Sequence, residues 1–242
     1  LAVGMGEHDM EGATQRNLCV DMRFLDESVD LVDVEILPAT EETVDPAETV
    51  HVMSDRSADR VWIARTDHLL GQNLPSDDAR IVDVITPLRV GLAPSGLSST
   101  FLLDCGETPS RTPAMLVANR GSEDLSLLEI TDLSTPQVDE RAVVALPAVP
   151  ERFLLDPDGP TCDDPYAWVV ADDGRMFPID MRAERFGLPD CGGAPCAVGT
   201  RARGGAGAVV RDPDAARGRV LVGGRGMLGE VGFLRPSPAA AD

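Results

Sequence analysis

The chain of 242 residues is 43% hydrophobic and 26% charged, a balance typical of folded globular proteins and unlike that of disordered or collagen-like chains. All 21 basic residues are arginines, and 41 acidic residues bring the net charge to −20. Because so acidic a chain repels phosphate groups, its composition argues against a nucleic-acid partner and against an anionic-membrane partner.

The chain opens on a strand-like apolar run at residues 1–4. The charged segment and apolar stretch of a signal peptide are not visible there, so we interpret the N-terminus as cut. No apolar run approaches the roughly 18 residues of a transmembrane helix. The Pro- and Ala-rich residues 236–242 are predicted to form a disordered tail.

Short apolar runs recur along the chain at a regular spacing. Five of them end in Gly or Ala, and their last residues are 60, 54, 53 and 52 positions apart: 1–4, 61–64, 115–118, 168–171 and 220–223. Further runs precede and follow them in most repeats, among them 51–55, 101–104, 153–156, 31–34, 81–84, 127–130, 177–180 and 143–146. Each run is too short for a typical helix and is bounded by turn residues, which favours strands.

Four short strands per unit and a period near 50 residues predict an all-β fold, a β-propeller of four-stranded blades. A β-sandwich would not explain the regular period. We predict one propeller domain over residues 1–235 with five repeat units: 1–43, 44–94, 95–146, 147–199 and 200–235. The first unit lacks its innermost strand and the last lacks a clear fourth strand. We therefore favour part of a larger propeller over an irregular ring of five, with further blades or another chain completing the ring.

Two segments resemble a known repeat family. Residues 115–130, Met-Leu-Val-Ala-Asn-Arg-Gly-Ser-Glu-Asp-Leu-Ser-Leu-Leu-Glu-Ile, look like the YVTN-type propeller repeat. Residues 153–159, with their Pro-Asp-Gly turn, followed by 167–174, look like it too. The resemblance covers most of residues 44–234 and implies a propeller fold. Members of that family include surface-layer and cell-envelope proteins, lactonases and redox-enzyme subunits, so the resemblance alone does not select a function.

The chain has five cysteines, Cys19, Cys105, Cys162, Cys191 and Cys196, and this odd number leaves one unpaired or paired outside the chain. Cys191 and Cys196 bound a short glycine-containing loop that could close tightly. Cys105 and Cys162 each follow the predicted inner strand of neighbouring blades, so their loops should emerge on the same face. The alternative is a set of free buried thiols, as in a cytosolic protein.

Polar residues follow the predicted second strand in every unit. Glu7-His8 and Asp67-His68 occupy the same position in adjacent repeats, and two imidazoles with two carboxylates suit a divalent transition metal. The alternative is two solvated loop histidines. We predict a ligand face, able to bind a small anion or a sugar unless it is plain surface, from the following residues: Glu7, His8, Arg65, Asp67, His68, Asn119, Arg120, Asp172, Asp173 and Arg225.

Aspartates around Gly159 offer a second way to hold a cation. Asp156, Asp158, Asp163 and Asp164 would suit calcium. However, Pro-Asp-Gly sequences form turns without any metal, because Asp and Gly favour turn geometry. We expect a turn here.

The sequence contains no phosphate loop, nucleophile elbow, zinc-protease motif or haem-attachment motif. We therefore predict no catalytic residue and no cofactor beyond a divalent metal. The favoured hypothesis is a non-catalytic cell-envelope propeller that acts as a scaffold for a protein or a small polar ligand. The alternative is a metal-dependent, lactonase-like hydrolase with Glu7, His8, Asp67 and His68 as metal ligands, and a weaker one is a subunit docked on a redox enzyme. Disulfides would favour an extracytoplasmic location.

Overall fold

The computed structural model describes residues 7–10, 13–16, 29–37, 49–70, 85–132, 137–155, 159–199, 206–210, 219–223 and 232–234. These residues form antiparallel strands almost throughout, and the one helix among them is the four-residue α1 (Thr66–Leu69). The first two strands, β1 (Glu7–Met10) and β2 (Ala13–Arg16), pair as a hairpin. The predicted all-β character is confirmed.

Sheet I is a four-stranded antiparallel meander in the order β3-β4-β5-β6. Its strands are β3 (Leu31–Ile36), β4 (Val50–Asp55), β5 (Arg60–Arg65) and β6 (Thr86–Arg89). Asp55 anchors the turn between β4 and β5: its carboxylate accepts hydrogen bonds from the Ser57 hydroxyl at 2.7 Å and from the Trp62 indole at 3.2 Å. Burial raises the pKa of Asp55, but these and backbone hydrogen bonds outweigh burial, and the net pKa is lowered.

Sheet II has the same meander order and the longest strands. They are β7 (Pro94–Asp104), β8 (Ser110–Asn119), β9 (Asp124–Asp132) and β10 (Gln137–Ala145). Successive side chains of a strand point to opposite faces of its sheet. In β8, Met115 and Val117 accordingly pack toward sheet I, and Leu116 and Ala118 pack in the other core. Burial on both faces explains why residues 114–118 are apolar without alternation.

Sheet III repeats the four-strand order with β11 (Pro150–Leu154), β12 (Tyr166–Ala171), β13 (Arg175–Asp180) and β14 (Val198–Gly199). Sheet IV is described for three strands, β15 (Ala206–Val210), β16 (Arg219–Gly223) and β17 (Gly232–Leu234). Both sheets are antiparallel throughout. Each sheet is built from strands that are consecutive in the described part of the chain.

The first strands of consecutive sheets lie side by side. Strand β3 contacts β7, β7 contacts β11, and β11 contacts β15. A hydrogen bond joins the first two, because the Leu97 backbone N–H donates to the Asp33 carboxylate at 2.8 Å. Meanders that meet through their first strands are arranged like consecutive propeller blades around an axis.

Two apolar cores separate the sheets. The core between sheets I and II contains fully buried residues from both, including Val52, Val61, Val117 and Leu128. The core between sheets II and III is larger and is completed by Phe177, Ile179 and Met181, all with 0% exposure. Removal of this apolar surface from water is the main force that holds sheet on sheet.

Strand β3 corrects one sequence prediction. The run 31–34 was predicted to belong to the first unit, which ends at residue 43. The structure instead pairs β3 with β4, so sheet I crosses that boundary. β5 is consequently the third strand of its sheet, not the second. Left-handed backbone at Asp59 (φ 50°), Glu123 (φ 55°) and Gly174 (φ 83°) marks the same position, immediately before the third strand, in sheets I, II and III.

Candidate functional site

The meanders have two different ends. At one end, which we call the turn face, the short turns 56–59, 120–123 and 172–174 lie beside the connections 90–93 and 146–149. At the other end, the loop face, lie residues 66–70, 105–109, 159–165 and 181–197. In an antiparallel meander the second-to-third turn lies opposite the first-to-second and third-to-fourth loops, which explains this division.

Backbone hydrogen bonds join the turns of the turn face to the connections that lie beside them. The Val90 N–H donates to the Asp59 carbonyl at 3.1 Å, and the Arg120 N–H donates to the Ala93 carbonyl at 3.1 Å. In the next sheet, the Asp172 N–H donates to the Val149 carbonyl at 3.0 Å. The turn face is therefore a continuous, short-looped surface over sheets I to III.

The loop face carries both disulfides. Cys105 follows β7 and Cys162 precedes β12, and their bond joins the first loop of sheet II to the first loop of sheet III. Cys191 and Cys196 close the short loop between β13 and β14. Both predicted pairs are confirmed. Cys19 lies outside the described residues.

Further contacts fix the loop face between sheets II and III. The Leu103 N–H donates to the Met181 carbonyl at 2.9 Å, and the Ala183 N–H donates to the Leu103 carbonyl at 2.8 Å. Segment 181–183 of sheet III thus pairs with the end of β7 as a short parallel bridge. Arg182 Nε and Nη2 donate to the two carboxylate oxygens of Asp180, which stabilises the conformation of this segment. These hydrogen bonds raise the pKa of Arg182.

The Arg111 side chain also links sheets II and III at the loop face. Its guanidinium lies 4.2 Å from the centre of the Phe101 ring, and its Nη2 donates to the Pro160 carbonyl at 3.2 Å. Gly159 has φ +73°, and a Cβ there would lie 2.8 Å from Arg111 Nη2. The backbone conformation favours glycine here, and a larger residue would displace the end of the Arg111 side chain. The sequence did not predict the contact between Arg111 and Pro160, because the two residues are 49 positions apart.

The structure separates the predicted ligand-face residues. Asn119, Arg120, Asp172 and Asp173 lie at the turn face, after the second strands of sheets II and III. Arg65 is the last residue of β5, which is a third strand, and Asp67 and His68 follow it, so all three lie at the loop face. The two groups are about one strand length apart, roughly 17 Å along six residues. The prediction of one shared face was wrong for these residues because it counted β5 as a second strand.

Arg65 and Asp67 form a buried ion pair. Arg65 Nε and Nη2 donate to the two carboxylate oxygens of Asp67 at 3.0 and 2.7 Å. Asp67 has 0% exposure and Arg65 has 7%. A carboxylate whose two oxygens are both held by a guanidinium is poorly suited to bind a metal. Asp67 therefore has a structural role at the start of α1.

Two histidines lie at the short helix α1: His68 is part of it, and His51 of β4 contacts its first residue, Thr66. His51 Nε2 lies 2.7 Å from Thr66 Oγ1, and the Thr66 hydroxyl donates to the Thr49 carbonyl at 3.1 Å. Burial lowers the pKa of His51, which favours its neutral form. His68 Nδ1 is buried without a hydrogen-bond partner among the described residues. No group of three or more His, Cys, Asp or Glu side chains suited to a metal occurs in the described part of the chain.

Several predicted residues lie outside the described part. Glu7 and His8 belong to β1, but their side chains are not described. Arg225, Asp156 and Asp158 lie outside the described residues altogether. Asp163 and Asp164 belong to a closed turn in which Thr161 and Asp164 exchange backbone hydrogen bonds at 3.0 and 3.1 Å.

Asn119 and Asp173 each hold a turn in place. The buried Asn119 amide donates to Asp124 at 2.7 Å and to the Ser126 hydroxyl at 2.9 Å. Asp173 accepts from the Arg175 backbone at 2.9 Å and from Arg175 Nε at 2.5 Å. Burial opposes ionisation of Asp173, but these contacts and the nearby charge of Arg175 together outweigh burial, and the net pKa is lowered. Arg120 and Asp172 are exposed.

Comparison with known proteins finds structural likeness but assigns no family. No family model matches the sequence, and no curated protein matches it, so the YVTN-type resemblance stays a prediction. The described residues contain no helix long and apolar enough to cross a membrane.

Three solved structures illustrate the structural likeness. BBS1N, solved in complex with ARL6DN, has a TM-score of 0.47 and 9% identity over 86% of this chain and 51% of that one. A protein from Lactobacillus plantarum has a TM-score of 0.39 and 12% identity, covering 79% and 55%. Apo AztD from Citrobacter koseri has a TM-score of 0.31 and 11% identity, covering 72% and 63%. The chain thus spans between about half and just under two thirds of the length of these structures.

Proposed function

We propose that this chain is an extracytoplasmic β-propeller that acts as a non-catalytic binding scaffold, with the loop face as its interaction surface. One observation carries the proposal: the loops of sheets II and III are joined by the Cys105–Cys162 disulfide and by the hydrogen bonds between Leu103 and segment 181–183. Loops held in this way lose little conformational entropy when a partner binds, which favours affinity.

The chemistry of the loop face suits a protein partner. Its exposed residues include charges of both signs, such as Glu107, Glu184 and Arg185, and the loops are longer than the turns of the opposite face. Binding residues are commonly placed on loops that a rigid scaffold holds in position. Two disulfides also support an oxidising, extracytoplasmic compartment, because reducing compartments break exposed disulfides.

Site-specific photo-crosslinking tests the proposal. A photoreactive residue replaces Glu107 or Glu184 at the loop face, and matched variants carry it at Asp172 at the turn face. We expect crosslinks to one discrete envelope protein from the loop-face positions, and weaker binding of that purified protein by the Cys105→Ser/Cys162→Ser variant. Crosslinks from Asp172 alone would contradict the assignment of the face.

The buried Arg65–Asp67 pair disfavours the lactonase-like hypothesis. It required Asp67 as a metal ligand, and both Asp67 oxygens accept hydrogen bonds from Arg65 in a buried pair. Assays of the full chain with a lactone panel and added zinc discriminate the two classes of function. The scaffold proposal predicts no turnover of any lactone. Zinc-dependent turnover that is lost in the Asp67→Asn and His68→Ala variants would instead support the hydrolase hypothesis.

A further inference from the structure

The Cys191–Cys196 disulfide lies at the surface of the loop face. Cys191 and residues 192–195 are exposed, and Cys196 is half-buried. The other disulfide is less accessible, because Cys105 and Cys162 are both half-buried and Cys105 packs against the core between sheets II and III. A thiol in solution therefore reaches Cys191–Cys196 more readily, and access to the sulfur atoms is one of the factors that control thiol–disulfide exchange.

Backbone hydrogen bonds hold this loop in shape alongside the disulfide. The Cys191 N–H donates to the Ala194 carbonyl at 2.8 Å. The Cys196 N–H donates to the Pro189 carbonyl, also at 2.8 Å. Because these contacts close a small hairpin, the two cysteines stay near each other when the bond between their sulfur atoms is broken.

The tip of the loop has support of its own. Gly192 and Gly193 have φ +88° and +92°, a left-handed conformation that glycine adopts without strain. The Gly193 N–H also donates to the Asp190 carboxylate at 2.8 Å. Reduction of the disulfide therefore removes only one of several constraints on this loop.

The short separation of the two cysteines limits what their bond contributes to folding. Cys191 and Cys196 are 5 positions apart, against 57 for the other pair, and a short cross-linked loop restricts the unfolded chain less. The bond also lies within a single connection, between β13 and β14, and joins no two sheets. Its loss should therefore leave the sheets, and the contacts of segment 181–183 with β7, in place.

We propose that Cys191–Cys196 is a reversible thiol–disulfide exchange site, which dithiols reduce while the fold and the Cys105–Cys162 bond stay intact. A thiolate of the dithiol bonds to the exposed Cys191 sulfur, and the Cys196 sulfur leaves with the electron pair of the broken bond and takes up a proton. The second thiol of the donor loses its proton and bonds to the donor sulfur of the mixed disulfide. The Cys191 sulfur then leaves as a thiolate and is protonated, so two electrons pass to the protein and the dithiol becomes a disulfide.

Redox titration of the full chain tests this site, whether or not the loop face binds a protein. Thiols that are free at the outset are blocked with iodoacetamide, the excess is removed, and the chain is equilibrated with graded ratios of reduced to oxidised dithiothreitol. New thiols are labelled with N-ethylmaleimide and located by peptide mass spectrometry. We expect half-reduction of Cys191–Cys196 at a ratio at least about tenfold lower than that for Cys105–Cys162, the internal control. The circular dichroism spectrum should be unchanged at that ratio.

Single variants test which sulfur is attacked. The Cys191 thiol of Cys196→Ser should form a mixed disulfide with oxidised glutathione several-fold faster than the Cys196 thiol of Cys191→Ser, because Cys191 is the more exposed. Equal rates would contradict the assignment of Cys191. Reduction of both disulfides at one ratio, earlier reduction of Cys105–Cys162, loss of the folded spectrum, or failure of the bond to re-form in oxidised dithiothreitol would overturn the proposal.

Discussion

Cys105 and Cys162 are joined across two sheets, with Cα atoms 5.7 Å apart and 57 positions between them in sequence. Their disulfide links loops that follow the first strands of sheets II and III. A cross-link over so long a segment restricts the unfolded chain strongly. The bond therefore both stabilises the fold and fixes one loop relative to the next.

Removal of this disulfide is expected to reduce stability markedly. The Cys105→Ser/Cys162→Ser variant should lose about 2–4 kcal/mol of unfolding free energy, measured by guanidinium denaturation under oxidising conditions. The matched Cys191→Ser/Cys196→Ser variant opens a loop with a separation of only 5, and should lose less. An equal or larger loss from the second variant would contradict the role given to the first.

Asp67→Asn should be among the most destabilising single changes at the loop face. The substitution leaves the guanidinium of Arg65 buried beside a neutral amide, at an expected cost of about 3–5 kcal/mol. Urea denaturation measures the loss. The Arg65→Met/Asp67→Leu double variant removes both charges and should recover most of it. If Asp67→Asn were neutral, the buried pair would not be a structural element.

Glu123→Gly should stabilise the protein. Glu123 has φ 55°, a left-handed conformation that costs a non-glycine residue about 1 kcal/mol. The glycine variant keeps the backbone carbonyl that accepts from the Leu146 N–H. The thermal midpoint should therefore rise.

Asp59 provides the control, since it has φ 50° but its side chain also accepts a hydrogen bond from the Ala93 N–H at 2.9 Å. Asp59→Gly relieves the same strain and loses that contact, so it should give little or no gain. A similar gain from both variants would show that the side-chain contact of Asp59 contributes nothing.

Glu35 is expected to make stability depend on pH. Burial, and then the nearby charge of Asp33, raise its pKa above 4.5. The folded state therefore favours the protonated acid, and the stability this provides is complete below pH 4.5 and is lost as pH rises through the folded pKa. Glu35→Gln should raise the thermal midpoint at pH 7 and change it little at pH 4.

Asp33→Asn serves as the contrasting variant for Glu35. The Asp33 carboxylate accepts from the Leu97 backbone across two sheets, so its replacement should lower the midpoint at pH 7 although it removes a neighbouring negative charge. A Glu35→Gln effect that is the same at both pH values would contradict the assigned titration.

The strands were predictable from the sequence because both faces of the sheets are buried. Residues 115–118 and 168–171 are continuous apolar runs, and they form the C-terminal parts of β8 and β12, just before a turn begins. Cys105 and Cys162 were predictable for a related reason, since each follows the first strand of its sheet. Local pattern and strand order were sufficient in these cases.

The position of β3 and the ligand face were not predictable in the same way. Thirteen residues, 37–49, separate β3 from β4 in sequence, whereas five residues, 105–109, separate β7 from β8. The long interval made β3 look like the end of the preceding unit. That error moved Arg65, Asp67 and His68 to the wrong end of their sheet. The Arg65–Asp67 pair depends on burial in the folded chain, which a single sequence does not reveal.

Amide hydrogen exchange tests most directly whether the loop face is one preformed surface. In the oxidised chain, the amides of Leu103, Met181 and Ala183, which bond across sheets or to Pro165, should exchange orders of magnitude more slowly than those of free loops. Reduction of the disulfides should accelerate exchange at residues 105–109 and 159–165 and leave the turn-face amides of Val90 and Arg120 protected. Rapid exchange of Leu103, Met181 and Ala183 in the oxidised chain would contradict the account.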